Sequence, residues 1–132
     1  MSEPLSDLTR KWLIRAEHDL RSAEHLLTMP DPPPESVGFH AQQCAEKAIK
    51  GFLVFHSVDF ERRHDLNYLI DLCAPISQDF EQFRPEADEL TPYAVEYRYP
   101  DVPADFSVQE ARAAVDTARR IYAFVLARLG WG

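Results

Sequence analysis

Apolar residues recur every three or four positions along three long stretches of the chain, a spacing that is typical of amphipathic α-helices. The first stretch runs from Asp7 to Thr28, the second ends near His56 and the last ends at Leu129. The apolar positions of the first are Leu8, Trp12, Ala16, Leu20, Ala23 and Leu27, and those of the last are Val108, Ala111, Val115, Ala118, Tyr122, Val125 and Leu129. The alternation of β-branched residues that marks strands is missing. We therefore predict an all-α fold.

Capping residues and prolines predict where the helices begin and end. Ser6, Ser36 and Ser107 each precede a long helix and can cap it, and Gly130 is expected to end the last one. The segment "MPDPPPES" separates the first two helices, and "HDLNYLIDLCA" predicts a shorter third helix. Between residues 76 and 105, four prolines are expected to divide short helical pieces from loops: Pro85, Pro92, Pro100 and Pro103.

Three long helices joined by defined breaks predict an up-and-down bundle, with shorter helices between the second and the last. A length of 132 residues suits one hydrophobic core, so we expect residues 1–132 to form a single helical domain. Alanines on the second and last helices would let the two backbones approach closely. They are Ala41, Ala45 and Ala48 on one helix and Ala111, Ala114 and Ala118 on the other. Phe52 and Phe55 are expected to fill the wider end.

The charge balance limits the kind of partner that the chain can bind. It carries 22 acidic and 14 basic side chains, a formal net charge of −8, which argues against nonspecific binding of nucleic acid through phosphate neutralisation. No apolar run approaches the roughly 20 residues that a membrane span requires, and the N-terminus lacks a signal-peptide pattern. We therefore expect a cytoplasmic protein without a membrane partner. Cys44 and Cys73 are expected to be buried, unpaired thiols.

The second helix carries a polar stripe beside its apolar face. The stripe consists of His40, Gln43, Glu46, Lys47 and Lys50. One interpretation is a solvated helix face, which the i,i+4 pair of Glu46 and Lys50 would support. The other is a site at which an anion binds.

A second polar cluster, "VEYRYPD" at residues 95–101, places Arg98 between two tyrosines. A guanidinium can bind a phosphate through two parallel hydrogen bonds, and Tyr99 offers a ring or a hydroxyl beside it. We predict that Arg98 and Tyr99 complete an anion site that the polar stripe begins. The alternative is a structural arginine that pairs with Glu46 or Asp65.

The segment "RRHDL" places His64 beside Asp65 at the start of the third helix. Neighbouring residues on a helix point about 100° apart and do not easily form a catalytic dyad, so a capping role is favoured. His64 is nevertheless a candidate ligand-binding residue, and the full set of candidates is His40, Gln43, Lys47, Lys50, His64, Arg98 and Tyr99. The sequence lacks a phosphate-binding glycine loop, an HExxH motif and a recognisable nucleophile, and we expect no metal and no cofactor.

Four segments, taken in order, resemble the HEPN family of small helical domains, named for nucleotide binding in prokaryotes and higher eukaryotes. They are "WLIRAEHDLRSAEHLL", "FHAQQCAEKAIKGFLVFH", "RRHDLNYLIDLC" and "YAVEYRYPD". The resemblance covers most of the chain. It implies a helical bundle, frequent homodimers and frequent pairing with a small nucleotidyltransferase in toxin–antitoxin-like systems.

Many HEPN proteins are metal-independent ribonucleases that use an Arg and a His separated by four to six residues. No Arg in this sequence is followed by a His at that distance. Arg21 and His25 are too close together, and Arg10 and His18 are too far apart. The chain therefore resembles the branch of the family without this motif.

The sequence leaves three hypotheses about function open. The first is a HEPN-like subunit that binds a nucleotide or phosphate ligand and acts with a nucleotidyltransferase partner. The second is a metal-independent ribonuclease toxin whose non-standard site is assembled across a dimer from His40, Lys47, His64 and Arg98, with RNA as substrate. The third is a dimeric interaction module without a ligand. Convergence of those four side chains on one open cleft would favour a ligand over the third hypothesis.

Overall fold

The structure, a computed structural model, describes residues 5–96 and 106–131. These ranges contain five α-helices, one 3-10 helix and no strand, which confirms the all-α prediction. The α-helices are α1 (Asp7–Leu26), α2 (Pro34–Phe55), α3 (Leu66–Cys73), α4 (Arg84–Glu96) and α5 (Val108–Leu129), and the 3-10 helix (Gln78–Phe83) lies between α3 and α4. None of the helices in these ranges combines the length and the apolar character that crossing a bilayer requires.

The helix α2 lies at the centre of the bundle and packs against each of the other four α-helices. Its most extensive contacts are with α1 and α5. Its buried residues are Val37, Gly38, Ala41, Gln42, Cys44, Ala45, Glu46, Ala48, Ile49, Lys50, Gly51, Phe52 and Leu53. A helix enclosed in this way buries polar side chains together with apolar ones, and those polar side chains need partners.

The predicted alanines of α2 and α5 lie in the core. All six are buried, and the two helices pack together, as the expected close approach requires. Further along α2, the ring of Phe52 packs on that of Phe80 with a centroid distance of 4.7 Å, whereas Phe55 is only half-buried. The thiols of Cys44 and Cys73 are free and buried, as predicted.

Three predicted helix ends are confirmed. The hydroxyl of Ser6 accepts a hydrogen bond from the backbone N–H of Thr9 at 3.1 Å. Ser107 and Glu110 form a reciprocal capping box at the start of α5. Gly130 ends α5 with a φ of 68°, in the left-handed region that favours glycine.

Two predictions about helix boundaries are wrong. The helix α2 begins at Pro34 and not after Ser36, because a proline in the first turn loses no helical hydrogen bond. Pro92 lies inside α4 instead of dividing two short pieces. Its ring removes one helical hydrogen bond, but the neighbouring Leu90 and Tyr93 are buried, and their packing holds the helix together. The last two of the four predicted proline breaks lie outside the described residues.

The buried side of α1 differs from the predicted one at the start of the helix. Leu13, Ala16, Leu20 and Ala23 are buried, whereas Leu8 is 55% exposed. The helix carries apolar residues on more than one side, so their spacing alone could not show which of them the bundle would cover.

Gly38 allows α2 and α4 to approach closely. A Cβ atom at this position would lie 2.0 Å from a ring carbon of Tyr93, far inside van der Waals contact. The Tyr93 ring is 3% exposed and stacks on Phe106 with a centroid distance of 4.1 Å, so it has little room to move. A Cβ atom at Gly51, also in α2, would lie 3.1 Å from the end of the Leu13 side chain, which can adjust.

We expect Gly38→Ala to lower the free energy of unfolding by about 1–3 kcal/mol, the usual cost of forcing atoms into a packed core. Gly51→Ala is the matched control, because it brings the same gain in helix propensity without meeting a ring. Urea denaturation of both variants measures the difference. Equal changes in the two proteins would contradict the close approach at Gly38.

Candidate functional site

The polar stripe of α2 surrounds two carboxylates that the fold removes from water. Asp19 on α1 is 9% exposed, and Glu46 on α2 is 3% exposed. A buried, ionised carboxylate requires hydrogen-bond donors or opposite charges. Side chains of the stripe, together with Gln42 and His64, form two groups around them: the Asp19 cluster (Asp19, His40 and Lys47) and the Glu46 cluster (Gln42, Glu46, Lys50 and His64).

The Asp19 cluster joins α1 to α2. His40 Nδ1 lies 2.9 Å from Asp19 Oδ1, and Lys47 Nζ donates a hydrogen bond to Asp19 Oδ2 at 2.6 Å. Burial alone would raise the pKa of the Asp19 carboxyl group, but the hydrogen bonds from His40 and Lys47 outweigh burial and hold that pKa below its ordinary value. Asp19 is therefore ionised at neutral pH, with both oxygens occupied.

The Glu46 cluster joins α2 to the segment that precedes α3. Glu46 Oε1 accepts a hydrogen bond from Gln42 Nε2 at 3.0 Å and lies 2.9 Å from His64 Nδ1, while Oε2 accepts from Lys50 Nζ at 2.9 Å. Gln42 Nε2 also donates to the backbone carbonyl of His64 at 3.3 Å. Burial would raise the pKa of Glu46, but the hydrogen bonds from Gln42, Lys50 and His64 outweigh it, so that pKa lies below its ordinary value.

Lys50 is enclosed by aromatic rings as well as by its ion pair. Its side chain is only 8% exposed. Its ammonium lies 5.7 Å from the ring centroid of Trp12 and 5.4 Å from that of Phe60, within the range of cation–π attraction. Glu46 and Lys50 do form the expected i,i+4 pair, but they form it in the interior. The interpretation of the stripe as a solvated helix face is therefore wrong for these two residues.

The two histidines are each oriented by a carboxylate. Because an ionised carboxylate can only accept hydrogen bonds, Nδ1 of His40 and Nδ1 of His64 must carry the proton. The side chains of His40 and His64 are 32% and 43% exposed. In this orientation Nε2 is the nitrogen left to exchange a proton or to contact a ligand.

Other predicted site residues have different positions. Gln43 Nε2 donates to Gln42 Oε1 at 2.7 Å and so extends the Glu46 cluster. Asp65 caps α3 through the backbone N–H of Asn67 at 3.0 Å, which confirms the capping role for Asp65, whereas His64 binds Glu46 instead. The predicted residues Arg98 and Tyr99 lie outside the described residues.

Asp19 and Gln42 belong to these clusters but were not among the predicted site residues. The signal for Asp19 was its position, because it lies three residues after Ala16 and four before Ala23, on the buried side of α1. The sequence around Gln42 gives less indication that this side chain is buried. Its burial follows from the central position of α2, which depends on how the other helices pack around it.

Two adjoining grooves on the open surface of α1 and α2 share Lys11, Arg15 and Lys47, and each has a volume of about 400 Å³. The apolar groove is lined by these three residues with Leu8 and Trp12. The polar groove is lined by the same three with Ile14, His18, Asp19 and Ser22. In the described part of the chain, neither Lys11 nor Arg15 has an ion-pair partner. The shared edge is therefore a local concentration of positive charge on an acidic chain.

A cavity of about 270 Å³ between α4 and α5 has the opposite electrostatic character. Glu86, Glu89 and Glu110 contribute to its lining. Glu86 accepts a hydrogen bond from Thr117 at 3.1 Å and pairs with Arg120. An anion would be repelled there. Within residues 5–96 and 106–131, no three His, Cys, Asp or Glu side chains are grouped as metal ligands would be.

Comparison with known proteins agrees with the observed fold. Residues 9–129 match the family model described as the HEPN domain. The crystal structure of TT1696 from Thermus thermophilus has a TM-score of 0.78 and 33% sequence identity, with 94% of this chain and all of that chain covered. The structure of ST0689, described as an archaeal HEPN homologue, has a TM-score of 0.69 and 26% identity, over 94% of this chain and 99% of that one.

One curated relative carries a functional name. "Putative toxin MJ1304" of Methanocaldococcus jannaschii is 45% identical over 53 residues, which are 40% of this chain. The matched stretch spans only 33% of that protein's length.

We expect Glu46→Met to lower the free energy of unfolding by about 3–5 kcal/mol, because Lys50 would be left charged and unpaired in the interior. The double variant Glu46→Met, Lys50→Met should recover most of that loss, since it removes both charges. Asp116→Ala, which breaks an exposed pair with Arg119, is the control and should cost less than about 1 kcal/mol. Urea denaturation measures all three. A loss in Glu46→Met no larger than in the control would contradict the buried network.

Proposed function

This chain belongs to the HEPN domain family, and on that premise we propose that it is the helical subunit of a toxin–antitoxin-like pair. In this proposal the subunit binds a nucleotide or another phosphate-bearing ligand. It acts in the cytoplasm with a small nucleotidyltransferase as its partner, and it associates with a second copy of itself. The named relative supports the toxin-like part of the proposal over the stretch that it shares with this chain.

The observation that carries the ligand part of the proposal is the position of Lys47. Its side chain is 25% exposed, and it lines both grooves together with Lys11 and Arg15. Lys50 and His64 pair with Glu46, whereas His40 and Lys47 both pair with Asp19. Of the predicted cations that the structure describes, Lys47 is the one that also lines both grooves, beside Lys11 and Arg15. A compact anion is attracted to such a surface even when the whole protein is acidic.

Binding without cleavage is favoured over ribonuclease activity. No Arg in the sequence is followed, after four to six intervening residues, by a His. The histidines also belong to different clusters, since His40 binds Asp19 and His64 binds Glu46. A stable two-fold dimer would bury a helix face, and sedimentation at tens of micromolar protein is suited to detect it.

We expect the wild-type protein to bind ATP, GTP or AMP in calorimetric titrations, with an affinity that falls as salt is added. Lys47→Ala and Arg98→Ala should each weaken binding about tenfold, because each removes a charged hydrogen-bond donor. Arg112→Ala, an exposed change on α5 outside both grooves, is the matched control and should bind as the wild type does.

Absence of binding up to millimolar ligand, or equal binding in all four proteins, would contradict the ligand part of the proposal. The same proteins should leave single-stranded RNA and tRNA intact at neutral pH without metal. Cleavage that His64→Ala abolishes in a folded protein would replace the proposal with the ribonuclease hypothesis.

A further inference from the structure

The two grooves on α1 and α2 differ in chemistry on either side of a shared cationic edge. Lys11, Arg15 and Lys47 line both. On one side, Leu8 and Trp12 complete a groove whose wall is mostly apolar. On the other side, polar residues such as His18 and Ser22 predominate. A ligand seated across the edge would meet an apolar surface and a cationic one at the same time.

On the apolar side of the edge, the indole of Trp12 is held in place by contacts with Phe60 and with Lys50 of the Glu46 cluster. The indole of Trp12 makes an edge contact with Phe60 at a centroid distance of 6.3 Å, and the ammonium of Lys50 lies over the indole. Lys50 is in turn held by its hydrogen bond to Glu46. Trp12 is thus oriented before any ligand arrives, and Leu8 beside it is 55% exposed. A fixed indole next to an exposed leucine is a surface on which a flat apolar ring can pack.

The cationic edge is suited to a small anionic group. Arg15 offers a planar guanidinium that can donate two parallel hydrogen bonds, and Lys11 and Lys47 offer ammonium groups. In the described residues Arg15 and Lys11 have no ion-pair partner, and Lys47 shares Asp19 with His40. Positive charge therefore remains on this edge after the internal pairs are counted.

These two halves limit the class of ligand. Inorganic phosphate would use the cationic edge and leave Leu8 and Trp12 without a contact. A long nucleic acid would be repelled by a chain with a formal net charge of −8. Grooves of about 400 Å³ fall in the size range of small-molecule sites.

We propose that the two grooves form one site for a nucleoside monophosphate, with the base against Leu8 and Trp12 and the phosphate among Lys11, Arg15 and Lys47. This inference rests on the proposed function for the presence of a ligand, and it adds the position of that ligand and the two-part chemistry that selects it. Lys11, Arg15, Leu8 and Trp12 are new members of the site.

The test uses the 132-residue chain carrying Trp131→Phe, so that Trp12 is the remaining tryptophan and its fluorescence reports on the groove. The probes are AMP, adenosine and ribose 5-phosphate. AMP should quench Trp12 and bind more tightly than either fragment. Arg15→Gln should weaken AMP binding about tenfold without changing adenosine binding. Leu8→Ser should weaken AMP binding at least about threefold and leave ribose 5-phosphate binding unchanged.

Arg112→Gln and Val95→Ser are the matched controls, because both positions are exposed and lie outside the grooves. Calorimetric binding of AMP that neither quenches Trp12 nor responds to Arg15→Gln or Leu8→Ser would overturn this site and leave the proposed function standing. Absence of AMP binding by calorimetry would overturn this site, and absence of ATP and GTP binding as well would overturn the ligand part of the proposed function. Ribose 5-phosphate that binds as tightly as AMP would overturn the role of the apolar side.

Discussion

The carboxylate of Glu46, buried in the central helix, is the group on which the rest of the structure depends. Helix α2 can occupy the middle of the bundle only if its polar side chains find partners there, and Glu46 receives hydrogen bonds from Gln42, Lys50 and His64. Buried ion pairs of this kind add little net stability compared with apolar residues, but the loss of one partner is costly. We infer that the network sets the position of α2 relative to its neighbours. The ammonium of Lys50 also makes a cation–π contact with the ring of Trp12, which links the Glu46 cluster to α1.

The pairing with Asp19 and Glu46 also determines which positive charges remain available to bind a ligand. The stripe on α2 looks in the sequence like a row of free cations, yet Lys50 pairs with Glu46, and His40 and Lys47 both pair with Asp19. Most of the positive charge of the stripe is therefore balanced by the carboxylates of Asp19 and Glu46. The remaining positive surface lies where Lys47 meets α1, and this position favours an anion site that is shared between two helices.

The fold was largely predictable because it depends on patterns that are local in sequence. The serine caps at Ser6 and Ser107 and the apolar spacing of α5 were sufficient to predict those elements. Pro92 and Leu8 were predicted wrongly, because packing between distant helices decides whether a proline is tolerated or a leucine is covered. The candidate site was less predictable for the same reason. The role of Asp19 depends on its distance from Lys47, which is 28 residues away in the sequence.

His40, His64 and the two lysines of the stripe all pair with buried, ionised carboxylates, and this is the central claim. The most direct test is the protonation of the histidine rings, observed by 15N–1H correlation NMR of protein labelled at histidine. The account predicts that His40 and His64 carry a proton on Nδ1 at neutral pH, and that Asp19→Asn and Glu46→Gln remove this preference at His40 and at His64, respectively. Rings that carry their only proton on Nε2 in the wild-type protein would contradict it, because Nδ1 could not then donate to a carboxylate.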